Sequence, residues 1–513
     1  MRNWWVVLSL MATACGSATP PAALQPAAAA TRAAESIRPR DFSARIGFLA
    51  SDALGGRDTP SQGLEAAAAY IASEFQRVGV EPGGTNGFLQ RWPFERPVLD
   101  PASVRLEFVS ASARRGLAFG RDFYVVAGAA IPPAGGMVYA GTEPAHLAAE
   151  PDALRGRIAV TSMPDPARPA LSAVLAAAES AGAAALIVIA GPGVGEDAMA
   201  AGAAAARRPL RTVPPLPVFV IRHEAGRELF REAGLDFDVV AAPAVPVRPV
   251  ELPGVTAHLG ASLDRTAAMP PNVVGILPGS DPELRNTYIV FSAHFDHAGT
   301  ANTGSWDCRP VGDNTICNGA DDNASGTAAV LELAEAFALL PERPRRSLIF
   351  LAVSGEEKGL LGSAYFADNP TVPADAIVAN INMDMIGRNH PDSVVVIGQT
   401  YSSLGPLLHQ VNDRHPELGL TVADDLWPEQ RFFYRSDHFS FARREIPAIF
   451  FFTGVHEDYH RPTDTADRID VDKVTRIGRL VFHFGLAIAN ELEPPRWDPA
   501  GLDEVRRLTR QRP

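Results

Sequence analysis

The stretch SLIFLAVSGEE, residues 347–357, runs through apolar residues to a glycine and ends on two carboxylates. Three other stretches also begin with a mostly apolar run and end on polar or turn residues: TYIVFSAHFDH at 287–297, AIVANINMD at 376–384 and IPAIFFFTG at 446–454. Strands that are apolar throughout are typical of a parallel sheet covered on both faces. Helical patterns separate them, at 325–340, 402–414, 436–443 and 471–492. The sequence therefore predicts an α/β fold with a mostly parallel, twisted sheet and helices on both faces.

Side chains that bind metal ions come after the ends of these strands, where ligands bind in open α/β sheets. Five separate segments offer candidates: His294 to His297, Asp321 to Asn323, Glu356 with Glu357, Asp384, and His456 to His460. A set of two imidazoles and three carboxylates suits zinc, with manganese or cobalt as possible substitutes. Because a single structural zinc ion does not need so many carboxylates, we expect two zinc ions that share one carboxylate and activate a water between them.

The same residues lie in motifs that resemble a known family. The matching stretches are SAHFDH, NGADDNASG, AVSGEEKGLLGS, NINMDMIG, SDHFSF and DYHRPTDT. In this order they resemble the co-catalytic zinc exopeptidases, which include bacterial secreted aminopeptidases and glutamate carboxypeptidase-like enzymes. The stretch LASDALGGR, which ends at Arg57, looks like the N-terminal segment of that family.

The resemblance implies a role for each residue. His294 and Asp384 would hold one zinc ion, Glu357 and His460 the other, and Asp322 would bridge them. Glu356 would be the general base. Three carboxylates would support the ligands from behind, Asp296 by orienting His294, Asp464 by orienting His460, and Asp437. The resemblance also implies a cis peptide bond between Asp321 and Asp322.

Some residues near the site have a second interpretation. Residues 456–460 fit the HExxH motif of single-zinc proteases, which requires a helix. Gly454 and Pro462 flank this stretch, so we expect a loop, with His456 and Glu457 at its rim. We expect His297 to be a neighbour of the site. Tyr434 and Arg435 either line the substrate pocket or are ordinary loop residues.

The N-terminus predicts export. Arg2 precedes an apolar stretch that is too short to span a bilayer and ends at Cys15 in MATACG. This run resembles a bacterial lipoprotein box, although it lacks the usual leucine three residues before the cysteine. We expect residues 1–15 to be an export signal, with lipid on Cys15 or else plain secretion, and the protein to be periplasmic or attached to the cell envelope. In such an oxidising compartment Cys308 and Cys317 could pair.

Changes in amino-acid composition along the chain suggest its domains. Residues 16–36 are rich in Pro and Ala and predict a flexible tether. The Ala-, Pro- and Gly-rich segment 118–250 predicts an inserted small α/β module, which looks like a protease-associated domain. The peptidase domain is then expected over 37–117 and 251–495, with a C-terminal tail over 496–513.

Composition restricts the partners. The net charge of −13 argues against nucleic acid, which needs a basic face. We expect a peptide substrate and a membrane contact only through the lipid anchor, and the sequence leaves the oligomeric state open. The leading hypothesis is an aminopeptidase. The alternatives are a carboxypeptidase or other amide hydrolase on the same site, a cyclase-like enzyme with one zinc ion, and a receptor-like binding protein without activity.

Overall fold

The computed structural model describes residues 26–126, 135–166, 168–207, 213, 216–241, 248–301 and 308–511. The predicted export signal, Cys15 and the first part of the predicted tether lie outside the described residues. The chain forms two compact units, one from residues up to Gln90 together with those from Pro271 onward, the other from Arg91–Pro270. No helix among the described residues is both long enough and apolar enough to cross a membrane.

The first unit is built on a nine-stranded sheet. Eight of its strands adjoin one another across the sheet in this order: Glu81–Pro82, Pro271–Leu277, Ser347–Val353, Tyr288–His294, Ile377–Met383, Ala448–Phe452, Ser393–Ile397 and Thr421–Ala423. The ninth, Leu89–Arg91, also pairs with Pro271–Leu277. The four strands in the middle, from Ser347–Val353 to Ala448–Phe452, are parallel. Their carboxyl ends therefore meet at one edge of the sheet.

Helices cover both faces of this sheet, as the apolar strands predict. The α-helices of the unit are Pro26–Glu35, Pro39–Leu49, Gln62–Arg77, Gly326–Ala338, Leu361–Asp368, Leu404–Arg414, His438–Ala442, Val471–Asn490 and Pro499–Gln511. Every residue of Ser347–Val353 is buried. Its alternate side chains enter two different cores, Leu348 and Phe350 on one side and Ile349 and Leu351 on the other. The predicted α/β class with a mostly parallel sheet is confirmed.

Both predicted ends of the peptidase domain need correction. Residues 26–35, placed in the flexible tether, form a helix in which Ala33 and Ala34 are buried. The predicted tail over 496–513 contains the helix Pro499–Gln511, whose Val505 is buried. The Arg506 guanidinium lies 2.8 Å from the carboxylate of Glu445. Both helices bury small or widely spaced apolar residues, which give a weak signal in sequences so rich in alanine or charge.

The second unit has its own sheet and core, but its boundaries differ from the predicted 118–250. Its strands are Phe94–Leu99, Arg105–Ser110, Arg114–Gly116, Phe123–Val126, Gly135–Tyr139, Ile158–Met163, Ala185–Ala190, Val218–Ile221, Val250–Gly260 and Leu263–Ala268. Its helices are Pro144–Ala149, Pro151–Leu154, Arg168–Ser180, Glu196–Ala206, His223–Glu232 and Phe237–Val240. Phe94–Leu99 and Leu263–Ala268 pair as a separate two-stranded sheet, and the other eight strands form one sheet. The unit starts before residue 118 because this pair, and that of Arg105–Ser110 with Val250–Gly260 in register Leu106 to Leu259, join segments far apart in sequence.

Candidate metal centre

The edge of the first sheet gathers all five predicted ligands. His294 is the last residue of its strand, and Asp384 comes directly after Ile377–Met383. Glu357 lies in the turn after Ser347–Val353, and His460 in the loop after Ala448–Phe452. Asp322 lies in the tight turn Ala320–Ser325 that leads into the helix Gly326–Ala338. The parallel arrangement thus brings together residues separated by up to 166 positions, from 294 to 460.

The ligands form two groups that share one carboxylate. In the first group, His294 Nε2 lies 3.3 Å from Asp322 Oδ1 and 3.3 Å from Asp384 Oδ1. In the second group, His460 Nε2 lies 3.2 Å from Asp322 Oδ2 and 3.4 Å from Glu357 Oε2. Each oxygen of Asp322 therefore serves a different group, which is the arrangement expected of a bridging carboxylate.

The spacing of these atoms fits zinc. Ligand atoms bound tetrahedrally at about 2.0–2.2 Å from an ion lie roughly 3.3–3.5 Å from one another. The four separations around Asp322 fall at 3.2–3.4 Å. His460 Nε2 is buried without a hydrogen-bond partner among the described residues, although two carboxylate oxygens are near. A nitrogen that faces oxygens without bonding to them is what a shared cation would produce, so the donor set fits the predicted metal.

His297 was expected only as a neighbour, but it lies within the second group. Its Nδ1 is 2.8 Å from Glu357 Oε1 and 3.7 Å from Asp322 Oδ2, and the residue is fully buried. His297, Asp322 and Glu357 could hold an ion together. The spacing of His294 and His297 at one strand end could have suggested this, but HxxH alone is a weak signal.

Two glycines keep the turn around Asp322 narrow. Gly319 has a φ of 61°, and a Cβ there would lie 2.5 Å from the ring of His297. A Cβ on Gly326 would lie 2.2 Å from the carbonyl oxygen of Met383. The non-proline cis peptide bond lies between Asp322 and Asn323, one bond later than predicted. The sequence pair of two aspartates does not indicate which peptide group adopts the cis form.

Asp464 was predicted to orient His460, but its side chain binds the turn around Asp322 instead. Its carboxylate accepts hydrogen bonds from the backbone N–H of Asp321 at 3.0 Å and of Asp322 at 3.2 Å. His456, predicted at the rim, instead turns a buried ring towards Asp321, with Nε2 3.3 Å from Oδ2. Residues 456–460 form a loop, so the helical HExxH interpretation is excluded.

Asp296 links the first group of ligands to the glutamate turn. Its backbone oxygen lies 3.2 Å from His294 Nδ1, whereas its carboxylate is 3.7 Å away. The carboxylate instead accepts hydrogen bonds from the backbone N–H of Glu356 at 3.2 Å and from Thr59 Oγ1 at 3.0 Å. Asp296 therefore orients His294 through its main chain and the turn of Glu356 through its side chain.

A chain of buried polar side chains reaches Asp384 from the middle of the sheet. Ser436 Oγ donates to Asp384 Oδ2 at 2.7 Å, and Asn382 Nδ2 donates to Ser436 Oγ at 2.8 Å. Ser292 Oγ donates to Asn382 Oδ1 at 2.8 Å and accepts from Asn380 Nδ2 at 2.8 Å. The sequence carries this signal, because 380, 382 and 384 alternate along one strand and so share a face.

Asp437 and Arg57 occupy the surroundings of the ligands. Asp437 is fully buried, and burial raises the pKa of its carboxyl to about 7. The hydrogen bond to the ligand Asp384 comes from its neighbour Ser436. Arg57 explains the N-terminal LASDALGGR stretch, because its buried guanidinium donates to the backbone oxygens of Phe295 at 2.7 Å, Asn318 at 2.7 Å and Gly319 at 3.0 Å. It thereby joins the loops that carry His297 and Asp322.

The two glutamates of the turn have opposite electrostatics. Burial raises the pKa of Glu356 well above its ordinary value, and the carboxylates of Glu357, Asp437 and Asp384 raise it further. Burial also acts on Glu357, but His460 and His297 outweigh it and hold the pKa of Glu357 well below its ordinary value. The pKa of His460 is raised to about 11, since Glu357 and Asp322 outweigh the effect of burial. Glu357 is thus suited to ligation and Glu356 to proton transfer.

A cavity of about 360 Å³ opens on the ligands. Its polar wall consists of Asp322, Glu356 and Asp384. The other lining residues are Met385, Phe432, Arg435, Phe450, Phe452, Val455 and Tyr459. Arg435 therefore lines the pocket, whereas Tyr434 is not among the lining residues. The ring of Tyr459 stacks on His460, with centroids 3.8 Å apart.

The loop before Asp322 contains a disulfide between Cys308 and Cys317, as the sequence predicts. Trp306, which the sequence places beside these cysteines, lies outside the described residues. The backbone N–H of Arg309, next to Cys308, donates to the carbonyl oxygen of His460 at 3.0 Å. The disulfide loop is thus attached to the segment that carries a candidate ligand.

The sequence is similar to those of known peptidases. Residues 272–485 match the sequence profile of Peptidase family M28. A protein of Pyricularia oryzae named "Probable zinc metalloprotease" is 28% identical over 44% of this chain and 50% of its own length. A protein of Arthroderma otae named "Probable leucine aminopeptidase" is 26% identical over 43% of this chain and 58% of its own length. The chain thus spans about half the length of the curated relatives it matches.

Among solved structures, the aminopeptidase from Aneurinibacillus sp. strain AM-1 is similar in fold, with a TM-score of 0.53. It is 20% identical, and the match covers 91% of this chain and 97% of that one. This supports the fold class.

Proposed function

We propose that the chain is a zinc-dependent aminopeptidase that holds two ions at the edge of its first sheet. The observation that carries this proposal is the position of Asp322, whose two carboxylate oxygens lie at hydrogen-bond range of two different imidazoles, His294 and His460. The match of residues 272–485 to Peptidase family M28 and the names of the relatives support the same reaction class.

The residues present could hold two ions without rearrangement of the fold. His294 and Asp384 would hold one and His460 and Glu357 the other, with Asp322 between them and His297 as a further candidate beside Glu357. When bound, zinc supplies a Lewis acid for the scissile carbonyl and lowers the pKa of an attacking water.

Glu356 is suited to move the proton in this reaction. It lines the cavity beside Asp384 and Asp322 but belongs to neither ligand group. It would take a proton from the attacking water as the carbon–oxygen bond forms and give it to the leaving nitrogen as the carbon–nitrogen bond breaks. Hydrogen bonds from the turn hold it in place, since its backbone oxygen accepts from Gly359 N–H at 2.8 Å and its N–H donates to Asp296.

The lining of the cavity supports cleavage next to an apolar terminal residue. Phe432, Phe450 and Phe452 make its walls apolar, which suits the side chain of an apolar terminal residue. The nearby carboxylates could receive a free α-amine. A carboxypeptidase is the second candidate, because Arg435 in the same wall could receive a free carboxylate.

The test is zinc analysis of the purified protein together with a small set of peptides. We expect about two zinc ions per chain, cleavage of leucine p-nitroanilide and Leu-Leu, loss of cleavage with a chelator and recovery with added zinc. N-acetyl-Leu-Leu should resist cleavage. Cleavage of the acetylated peptide would favour the carboxypeptidase, and a sample that binds no zinc and cleaves nothing would contradict the proposal.

A further inference from the structure

Arg435 lines the cavity that opens on the candidate metal ligands. It comes after the short turn Phe432–Tyr434 and directly precedes Ser436, which holds Asp384. Of the described residues that line the catalytic cavity, Arg435 is the one with a positive charge. The reacting groups and this guanidinium therefore share one small space.

The charge of Arg435 is not used by the described part of the protein. Its guanidinium carbon lies 4.7 Å from the centroid of the Phe432 ring, and no ion pair involves it among the described residues. Other arginines of the same unit are paired, for example Arg388 with Asp458 at 2.8 Å and Arg443 with Asp368 at 2.8 Å. Stacking on a ring leaves the edge of a guanidinium, with its N–H donors, open to a ligand.

We propose that Arg435 binds the free α-carboxylate of a short peptide, so that the enzyme prefers dipeptides over longer or blocked chains. This inference rests on the proposed function. Arg435 is exposed, so a carboxylate can reach it, and a planar guanidinium binds a carboxylate through two parallel hydrogen bonds that also fix its orientation. The carboxylate has to lie near the scissile bond, because Arg435 lines the same cavity as Glu356 and Asp384. In a dipeptide, one Cα atom separates the scissile nitrogen from the terminal carboxylate.

An acidic side chain on the first residue would bring the same chemistry to Arg435. The walls argue against it, because Phe450, Phe452 and Val455 would surround the charged side chain with apolar groups. A terminal carboxylate reaches Arg435 from the backbone and leaves these walls to an apolar side chain. The experiment therefore includes substrates that separate the two sources.

The experiment measures KM and kcat of the zinc-loaded full chain for four substrates: Leu-Leu, Leu-Leu-amide, leucine p-nitroanilide and glutamate p-nitroanilide. For the wild type we expect a kcat/KM about tenfold higher with Leu-Leu than with its amide. Arg435→Gln should raise KM for Leu-Leu by about tenfold and change KM for the amide and leucine p-nitroanilide much less. Arg435→Lys keeps the charge without the planar fork and should restore part of the preference.

The matched control is Arg431→Gln, because Arg431 lies four residues away, stacks on Tyr434 at 5.0 Å and does not line the cavity. It should leave all four substrates unchanged. An equal loss on every substrate in Arg435→Gln, or a selective loss with glutamate p-nitroanilide, would overturn the inference. Cleavage of leucine p-nitroanilide by the wild type tests the proposed function separately, so failure of the preference alone leaves that function intact.

Discussion

The two large sheets of the described chain are built alike and differ in the residues that lie at the ends of their parallel strands. In the first unit the central strands end on His294, the Glu356–Glu357 turn and Asp384. In the second unit Ile158–Met163, Ala185–Ala190 and Val218–Ile221 are also parallel. The strand Ala185–Ala190 is as completely buried as Ser347–Val353. Both sheets therefore satisfy the same physical demands of packing.

The edge of the second sheet has a different chemistry. A cavity of about 480 Å³ lies there, lined mainly by apolar and small residues such as Met163, Pro164, Gly191 and Pro192. His223 also lines it, and its ring contacts Phe237. Among the described residues of this unit, no three histidine, cysteine or acidic side chains converge as a possible metal site. The fold provides a place for a ligand, and the residues at the edge decide the chemistry.

The strongest test of this contrast removes the shared carboxylate. Asp322→Ala should lower kcat/KM by roughly a thousandfold or more and reduce bound zinc, because both ligand groups lose a member. His223→Ala also removes a polar side chain, at the cavity of the second unit, and should change neither kcat/KM nor the amount of bound zinc. Zinc content and leucine p-nitroanilide hydrolysis measure both. Full zinc content in Asp322→Ala would show that the two groups do not share an ion ligand.

The two adjacent glutamates offer the next comparison, within one turn. Glu356→Gln should keep zinc and lower kcat by about 10²–10⁴-fold, because it removes the proton carrier and no ligand. Glu357→Gln should lose zinc together with activity. Metal analysis beside kcat distinguishes these outcomes. Equal zinc loss in both variants would remove Glu356 from its assigned role.

Two buried hydroxyl groups, one in each unit, allow a comparison with smaller expected effects on zinc binding. Ser436→Ala deletes the hydrogen bond to Asp384 and should weaken zinc binding by about 10–100-fold. Thr161→Val deletes a buried hydrogen bond to Gly141 in the second unit, which should cost about 1 kcal/mol of stability there and leave zinc affinity unchanged. Zinc titration and thermal unfolding measure the two effects. A similar drop in zinc affinity in both variants would mean that stability, and not ligand orientation, controls binding.

The strands and the ligands were predictable because their signals are local. Ser347–Val353 and Ala448–Phe452 lie within the apolar stretches that the sequence predicts as strands, since an apolar run between turn residues defines a buried strand. Because the carboxyl ends of parallel strands meet at one edge of the sheet, His294, Asp384 and the other ligands are expected close together there. Residue type and strand position located the site, and the family resemblance selected the ligands among neighbouring candidates.

The supporting contacts were less predictable, because they depend on pairing between distant segments. Asp464 was assigned to its sequence neighbour His460, but the fold brings it to Asp321 and Asp322. The inserted unit begins before residue 118 because of strand partners far away in sequence, which local composition does not reveal. Ser436 was also missed, although the alternation of Asn380 and Asn382 with Asp384 indicated a polar face.

The smallest expected effect on zinc binding comes from removal of the disulfide next to the site. Cys308→Ser with Cys317→Ser opens the loop whose Arg309 N–H holds the carbonyl oxygen of His460. We expect a loss of about 2–3 kcal/mol in stability, and zinc affinity should fall only severalfold, because His460 keeps Asp322 and Glu357 beside it. Thermal unfolding and zinc titration of the double variant, compared with the wild type under reducing and oxidising conditions, measure both. If the double variant loses stability but binds zinc as the wild type does, the loop supports the first unit as a whole and not the ligand. If reduction changes the double variant as much as the wild type, the effect does not come from this bond.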